Sequence, residues 1–583
     1  MLSSVSCKRG TAQETRIVFF QWILLIFFLQ SGVVSKATET PIISEPTLLV
    51  IGMVRDDQGP ISNAVVRIQA TKIYTTTDIH GQFVLTGLPG DESLYLTAWA
   101  SGYYIGGKQS VKPHIDPVHI TLLRHTEQDN PRYRWLSAFA EDGDSGNCQN
   151  CHSEPNDPNS QQPFDQWVQD AHAQSARNVR FLTMYTGTDV MGNTSPLTRY
   201  GYSRDYGTFP LPSDPNAPYF GPGYKLDFPT TAGNCASCHV SAAAINNPYG
   251  VNPVEVTGVG TEGIGCDFCH KIWDVSLNQT TGIPYENRPG VLSYEFRRPP
   301  AGHQFFAGPF DDVAPGEDTY SPLQQQSAYC APCHIASFWG IPIYNSFGEW
   351  LDSPYSDPNT GKTCQDCHMP AGLTDHFARF DKGGQKRDPT DIFSHRMLGV
   401  SDEEFMQNAV TLMARADLQD RVIRVDVEIH NDRTGHHVPT DSPLRHLILW
   451  VEASDADEKP LTQLEGPKIP PWCGTGDPNQ GYYAGLAGTA YAKILEQLWT
   501  GIRPTAAYWT MTRIESDNRI PALGKDHTTY TFVAPMQGEI IVNVRLLFRR
   551  AFIELMDQKG WDMADMVMAQ QVLILGEEEP IKR

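Results

Sequence analysis

Two long stretches of the chain alternate apolar and polar residues with a period of two, and the segment between them does not. In the first, LLVIGMVRDDQGPISNAVVRIQA alternates around a turn at Asp56-Asp57-Gln58-Gly59-Pro60, and TTTDIHGQFVLTGLPG and SLYLTAWASGYY follow. Alternation turns one face of a strand toward a core, and the Gly, Pro and Asp clusters break the strands, so residues 47–124 are predicted to form a β-sandwich. The pattern returns over 420–578 in RVIRVDVEIHN, RHLILWVEASD, TTYTFVAP and GEIIVNVRLLFRRAF, which predicts a C-terminal β-sandwich-like domain. Helices are expected within it at AGTAYAKILEQLW and KGWDMADMVMAQQ. Between the two, residues 130–400 carry short helical patches, FDQWVQDAHAQSARN among them, separated by loops rich in Pro, Gly, Asn and Asp. Such a segment buries little core from its own side chains, so something else must supply apolar volume. The fold class is therefore multidomain, a β-sandwich, a loop- and helix-rich domain and a second β-rich domain. That agrees with about one domain per 150 residues in a chain of 583.

The N-terminus breaks this pattern. Lys8, Arg9 and Arg16 precede an apolar run, Ile17 to Leu29, followed by Ser35-Lys36-Ala37. Thirteen residues are short for a membrane span of about 20, so residues 1–37 are expected to be a signal peptide, with an uncleaved anchor as the alternative. The mature chain is then periplasmic or extracellular. A net charge of −22 speaks against nucleic acid, whose partners show a basic face, and suits a basic protein partner.

The cysteines supply the chemistry. Ten of twelve fall into five C-x-x-C-H motifs: Cys148-Cys151-His152, Cys235-Cys238-His239, Cys266-Cys269-His270, Cys330-Cys333-His334 and Cys364-Cys367-His368. With 12 cysteines and 18 histidines in the chain, chance predicts about 0.008 copies of this motif. Zinc sites need four ligands but no histidine after each pair. Thioredoxin-type motifs need none either, and disulfides across so short a loop stabilise little. Covalent haem explains every position: the thiols add to the two vinyl groups and the adjacent histidine becomes the proximal ligand. Five covalently bound haem c groups are expected, and they would supply the missing apolar volume. Cys7 lies in the signal, and Cys473 is expected to be a buried thiol. The DGDSGN run, Asp142 to Asn147, has calcium-like oxygen spacing but lacks a downstream Glu, so it is expected to be a solvated loop.

Five irons need ligands on their opposite faces, and the choice of ligand sets the potential. His172, His303 and His395 are the first candidates, followed by His376 and one of His436 and His437, of which His436 is preferred. His430 and His446 lie in strand-like runs and are expected to be structural, and His527 to lie at the surface.

Two stretches resemble known families. Gly52-x-Val54, Gly59-Pro60, Asn63-Ala64-x-Val66, Thr77-Asp78 with Gly81-x-Phe83, and Ser101-Gly102-Tyr103 resemble the carboxypeptidase regulatory-like β-sandwich, which implies a non-catalytic adhesive or spacer module. CQNCH followed by Trp167 and AHAQSA, the pair GNCASCH and GIGCDFCH, EWLDSPY with GKTCQDCHMP, and GHHVPT with PLRHLIL resemble multihaem c-type cytochromes of the lineage that includes the tetrahaem electron carrier of ammonia oxidisers. The resemblance implies bis-histidine, low-potential haems packed for electron transfer. It also implies His172 as a distal ligand, at the family's W-x-x-x-x-H position.

The favoured reading is an electron carrier between a redox protein donor and acceptor, with the β-domains as docking modules, free or within a membrane-associated complex. The first alternative is an enzyme acting on a small nitrogen or sulfur compound at one open haem. Multihaem nitrite reductases typically mark such a haem with Lys in place of the motif histidine, and all five motifs here end in His. The second alternative is a self-assembling extracellular filament in which one subunit lends a histidine to the next.

Overall fold

The computed structural model describes residues 48–90, 92–113, 117–140 and 146–576. The predicted signal peptide and most of the DGDSGN run lie outside these. The first sandwich packs two sheets. One orders Gln82–Thr86, Leu49–Arg55 and Val118–Thr121, and the other Tyr74–Thr76, Val65–Ile68, Leu94–Trp99 and Gly106–Val111. Every second side chain of the central strands turns inward, so Val54, Val66, Leu85, Leu96 and Ile120 meet in one core.

This sandwich is held tightly to the central segment. Arg67 pairs with Asp311 at 2.8 Å, the Trp99 indole donates to Thr319 at 3.0 Å, and Ile105 N–H donates to the Asp318 carbonyl at 2.8 Å. The bidentate Arg67–Asp311 geometry fixes orientation as well as charge.

The central segment is irregular, as its composition requires. Two-stranded ribbons such as Ile272–Val275 with Tyr294–Phe296, and Phe306–Gly308 with Asp318–Tyr320, alternate with helices of one or two turns. The predicted helix through FDQWVQDAHAQSARN is shorter than expected. Helical geometry covers Pro163–Trp167, then the Asp170 carboxylate caps the His172 N–H at 2.8 Å and turns the chain. A short polar side chain that binds the backbone two residues on competes with helix in this way.

The C-terminal domain packs a four-stranded sheet, ordered Thr411–Gln419, Val422–His430, Lys525–Val533 and Gln463–Glu465, on a five-stranded one. The five-stranded sheet runs Thr512–Asp517, Gly488–Gln497, His446–Asp455, Ile540–Arg549 and Met566–Leu575. Ile423, Val425, Leu447, Leu449, Val544 and Leu546 fill the space between.

Two helix expectations are overturned here. AGTAYAKILEQLW is the strand Gly488–Gln497, buried on both faces and so without alternation. In KGWDMADMVMAQQ the helix lies earlier, at Ile553–Lys559, and ends at Gly560 in the left-handed conformation, φ 68°. The residues after it form the edge strand Met566–Leu575. The domain also begins earlier than residue 420, at the strand Thr411–Gln419.

Candidate haem cavity

Each motif folds as about one helical turn. Cys148–His152, Ala236–His239, Cys266–His270 and Cys364–His368 are short helices, and the fourth motif follows the 3-10 turn Ser327–Tyr329. Residues three apart on a helix share a face, so C-x-x-C directs both thiols to one side with the histidine beside them. Thr363 and Asp366 form a capping box that starts the last of these turns. Gly290, at φ 56°, lets the chain pass the second motif, where a Cβ would meet the Ser237 carbonyl and the Cys238 sulfur.

All ten motif cysteines and all five motif histidines line one continuous cavity of about 1910 Å³. A pocket for one drug-sized ligand is about 300–1,000 Å³, so this space is larger than a single small ligand needs. The ten thiols are free, and among the described residues no three His, Cys, Asp or Glu side chains converge as a metal cage would need. Burial pushes the Cys235 and Cys269 thiols up to about 12, away from the thiolate a redox motif uses. Cys364 differs, lowered to about 7 by a hydrogen bond with Cys330.

Thiols of different motifs also meet. Cys148 reaches Cys266, Cys238 reaches Cys333, and Cys330 reaches Cys364. The third and fourth motifs are joined where the Tyr329 hydroxyl donates to the Cys269 carbonyl at 2.9 Å. The spatial order is therefore first, third, fourth, with the second and fifth both against the fourth.

The histidines fall into pairs. His270 and His395 have ring centres 6.4 Å apart, His334 and His172 6.2 Å, and His368 and His436 6.2 Å. Metal–imidazole bonds are about 2.0–2.1 Å and a ring nitrogen lies about 1.1 Å from its ring centre, so two imidazoles sharing one metal have centres about 6.2 Å apart. Each pair joins one motif histidine to one non-motif histidine, and every member lines the cavity.

Backbone carbonyls orient the motif rings. Nδ1 of His152, His270 and His368 donates to Phe377, Ala307 and Leu398 at 2.6, 2.7 and 2.6 Å, which leaves Nε2 free for a ligand. His172 is held differently, with Nδ1 2.7 Å from the Asp170 carboxylate. Gly263, at φ 72°, packs where a Cβ would strike the His172 carbonyl. Burial lowers His368 and His239 to about 4 and His395 to about 3, so these rings are neutral, the form that binds metal.

Two of the predicted distal ligands lie elsewhere. His303 is 63% exposed with Nδ1 2.8 Å from Glu317. His376 stacks on Phe380 at 4.4 Å with Nδ1 2.7 Å from Asp375. Neither lines the cavity: His303 stands at the surface beside Glu317, and His376 is partly buried with its ring held by Asp375 and Phe380. His430, His446 and His527 are also outside it, and His446 is fully buried in its strand. Cys473 is buried. His437 does line the cavity, beside Glu349 at 3.5 Å.

Among the described residues no second histidine stands at pair spacing from His152 or His239. The His239 ring is instead stacked on Phe181, 3.7 Å between centres and 3° between planes. The wall beside it holds Tyr185, Tyr224, Tyr344 and Tyr508. Composition could not foresee this aromatic wall, whereas the orienting role of Asp170 was available in the spacing Asp170-x-His172.

No family model matches the chain, and no curated protein matches it. Among solved structures it is similar to a penta-heme cytochrome c552 from Thermochromatium tepidum, at 17% identity over 73% of this chain and 97% of that one, TM-score 0.49. The PapD-like domain 7 of human CEP192 aligns at 7% identity over 30% of this chain and 89% of that one, TM-score 0.12. The Fcho1 Mu homology domain of Danio rerio aligns at 10% identity over 29% and 44%, TM-score 0.11. At these identities and TM-scores the site has to be read from its own residues.

Proposed function

We propose that the chain is an exported pentahaem c-type cytochrome that passes electrons between redox proteins. The observation that carries the reading is the three histidine pairs at 6.2–6.4 Å, each set beside a C-x-x-C turn on the wall of one cavity. Cysteines 148, 151, 235, 238, 266, 269, 330, 333, 364 and 367 would hold five haems, and His152, His239, His270, His334 and His368 would be their proximal ligands. His172, His395 and His436 would close the opposite faces at the fourth, third and fifth motifs.

Bound haem iron supplies one-electron exchange at a potential set by its axial ligands. The protein's own residues do the rest. Carbonyls fix ring orientation, the tyrosines and phenylalanines of the wall exclude water, and thiol contacts between motifs bring neighbouring groups close. No helix among the described residues is long and apolar enough to cross a membrane. Export rests on the N-terminal signal and on the chemistry of c-type haem attachment.

Intact mass of the purified protein tests the core of this. Five haem additions stable to denaturation support it, and a mass matching the bare mature chain overturns it.

A second reading has its own observation. His239 is stacked by Phe181 rather than opposed by a histidine, so the second motif is the place for an enzyme's open haem or for a ligand lent by another subunit in a filament.

A further inference from the structure

The N-terminal sandwich resembles a spacer, yet one of its residues reaches the cavity. Gln69 follows the strand Val65–Ile68, is 7% exposed, and lines the cavity. Neither its amide nitrogen nor its amide oxygen has a hydrogen-bond partner. Burying an unpaired amide is costly, so such a group signals a missing partner.

The turn that carries it is held firmly. Gln69 N–H donates to the Tyr95 carbonyl at 2.9 Å. Ala70 takes a left-handed φ of 61°, costly for a residue with a Cβ, and its N–H donates to the Asp312 carboxylate at 2.7 Å.

The same carboxylate holds a second unpaired donor. Arg387 pairs with the other oxygen of Asp312 at 2.8 Å, lies over the rings of Phe310 and Phe377, and lines the cavity. Its Nε–H is buried without a partner. Two unsatisfied donors, one from each domain, thus flank one fixed carboxylate and border the space between the first and third motifs. Phe377 supplies the carbonyl that holds His152, and Ala307, three residues before Phe310, the one that holds His270.

We infer that Gln69 and Arg387 form a binding site for a haem carboxylate, so that the N-terminal sandwich completes the cofactor site instead of only flanking it. This rests on the pentahaem reading. The ligand is a propionate of the haem at the first or third motif, the two groups whose histidine carbonyls border the site. A neutral amide and a guanidinium aimed at one carboxylate stabilise its charge. The guanidinium charge and the positive end of the amide N–H dipole each offset the carboxylate's negative charge near the iron and so favour the reduced form, and both residues hold that haem's potential up.

Redox titration of the full-length holoprotein tests this. Gln69→Leu and Arg387→Leu should each lower the midpoint of one haem and leave four unchanged. For Arg387→Leu the expected change is about tenfold in the reduction equilibrium, 59 mV for one electron. Gln69→Glu, which sets one carboxylate against another, should lower the same haem further. Repeating Gln69→Leu in a His395→Met background, where the third haem is displaced, shows which haem carries the carboxylate. Five unchanged midpoints in Gln69→Leu and Arg387→Leu, with five haems attached by mass, overturn this inference and leave the pentahaem reading standing. Absence of attached haem overturns both. A variant that loses haem or fails to accumulate is replaced by Gln69→Asn, whose shorter amide should give a smaller shift in the same direction.

Discussion

Among the described residues, three of the five motif histidines face a second histidine across the cavity and two do not. His270, His334 and His368 have partners at 6.2–6.4 Å, whereas His152 has no histidine at that spacing among the described residues and His239 is covered by a phenylalanine at 3.7 Å. The paired motifs are the third, fourth and fifth, which also form the continuous part of the spatial order. The unpaired first and second each touch a single neighbouring motif, the third and the fourth, as the paired fifth does. Identical sequence motifs have therefore been given unequal surroundings. A closed pair suits fast one-electron relay, because nothing must bind or leave, and an unpaired site suits exchange with something outside the chain.

The largest expected effect breaks a pair. His395→Met, which exchanges imidazole for thioether, should raise one haem's potential by well over a tenfold change in its equilibrium, a fraction of the about 0.8 V that all axial ligands span. Potentiometry checks it, and His172→Ala and His436→Ala should each turn one low-spin haem high-spin in electron paramagnetic resonance spectra. His303→Ala and His376→Ala should leave the spin-state count unchanged, since both side chains lie outside the cavity lining.

A smaller effect concerns stability. Burial pushes the Glu349 carboxyl up, but His437, Arg519 and Thr440 outweigh it and hold it down to about 2 from an ordinary 4.5. Its folded form is thus favoured when ionised. The contribution is complete above about pH 4.5 and is lost as the pH falls toward 2, on the order of 3 kcal/mol in all. Glu349 packs beside the loop that carries His436 and His437, through Arg519 at 2.7 Å and His437 at 3.5 Å. Acid unfolding followed by circular dichroism should show Glu349→Gln less stable than the parent at pH 7 and the difference shrinking below pH 4.

The smallest effect separates one pair from the other two. The proximal rings of the third and fifth motifs donate to carbonyls, while His172, opposite the fourth, donates to a carboxylate. A carboxylate makes its imidazole a stronger donor to the iron and favours the oxidised form. Asp170→Asn should raise the potential of one haem by about a tenfold change in its equilibrium, 59 mV, and Ala307 and Leu398, at the other two pairs, offer no equivalent side chain to remove.

The sequence made some of this legible. Alternation located the strands Val422–His430 and Ile540–Arg549, because the first, and the second over Ile540 to Arg545, have one face in the core and the other less buried. It missed Gly488–Gln497, which lies between two strands with both faces covered and reads as a run of apolar residues equally suited to helix. The motifs fixed the positions of ten cysteines and five histidines by local spacing alone. Distal histidines come from turns far away in the chain, and short-range pattern says nothing about which turn reaches inward. Loop context favoured His303 as strongly as His395, and only the tertiary structure separates a ring held by Glu317 at the surface from one buried opposite His270. Gln69 was invisible for the same reason, lying in a different domain from every cysteine motif.

The most direct test counts haems by their response to an external ligand. Low-temperature electron paramagnetic resonance of the oxidised holoprotein, with carbon monoxide titrated into the reduced form, should show three bis-imidazole low-spin haems that take up no ligand. The other two should be distinct in spectrum or reactive. Five equivalent bis-imidazole haems, or fewer than three, would contradict the account.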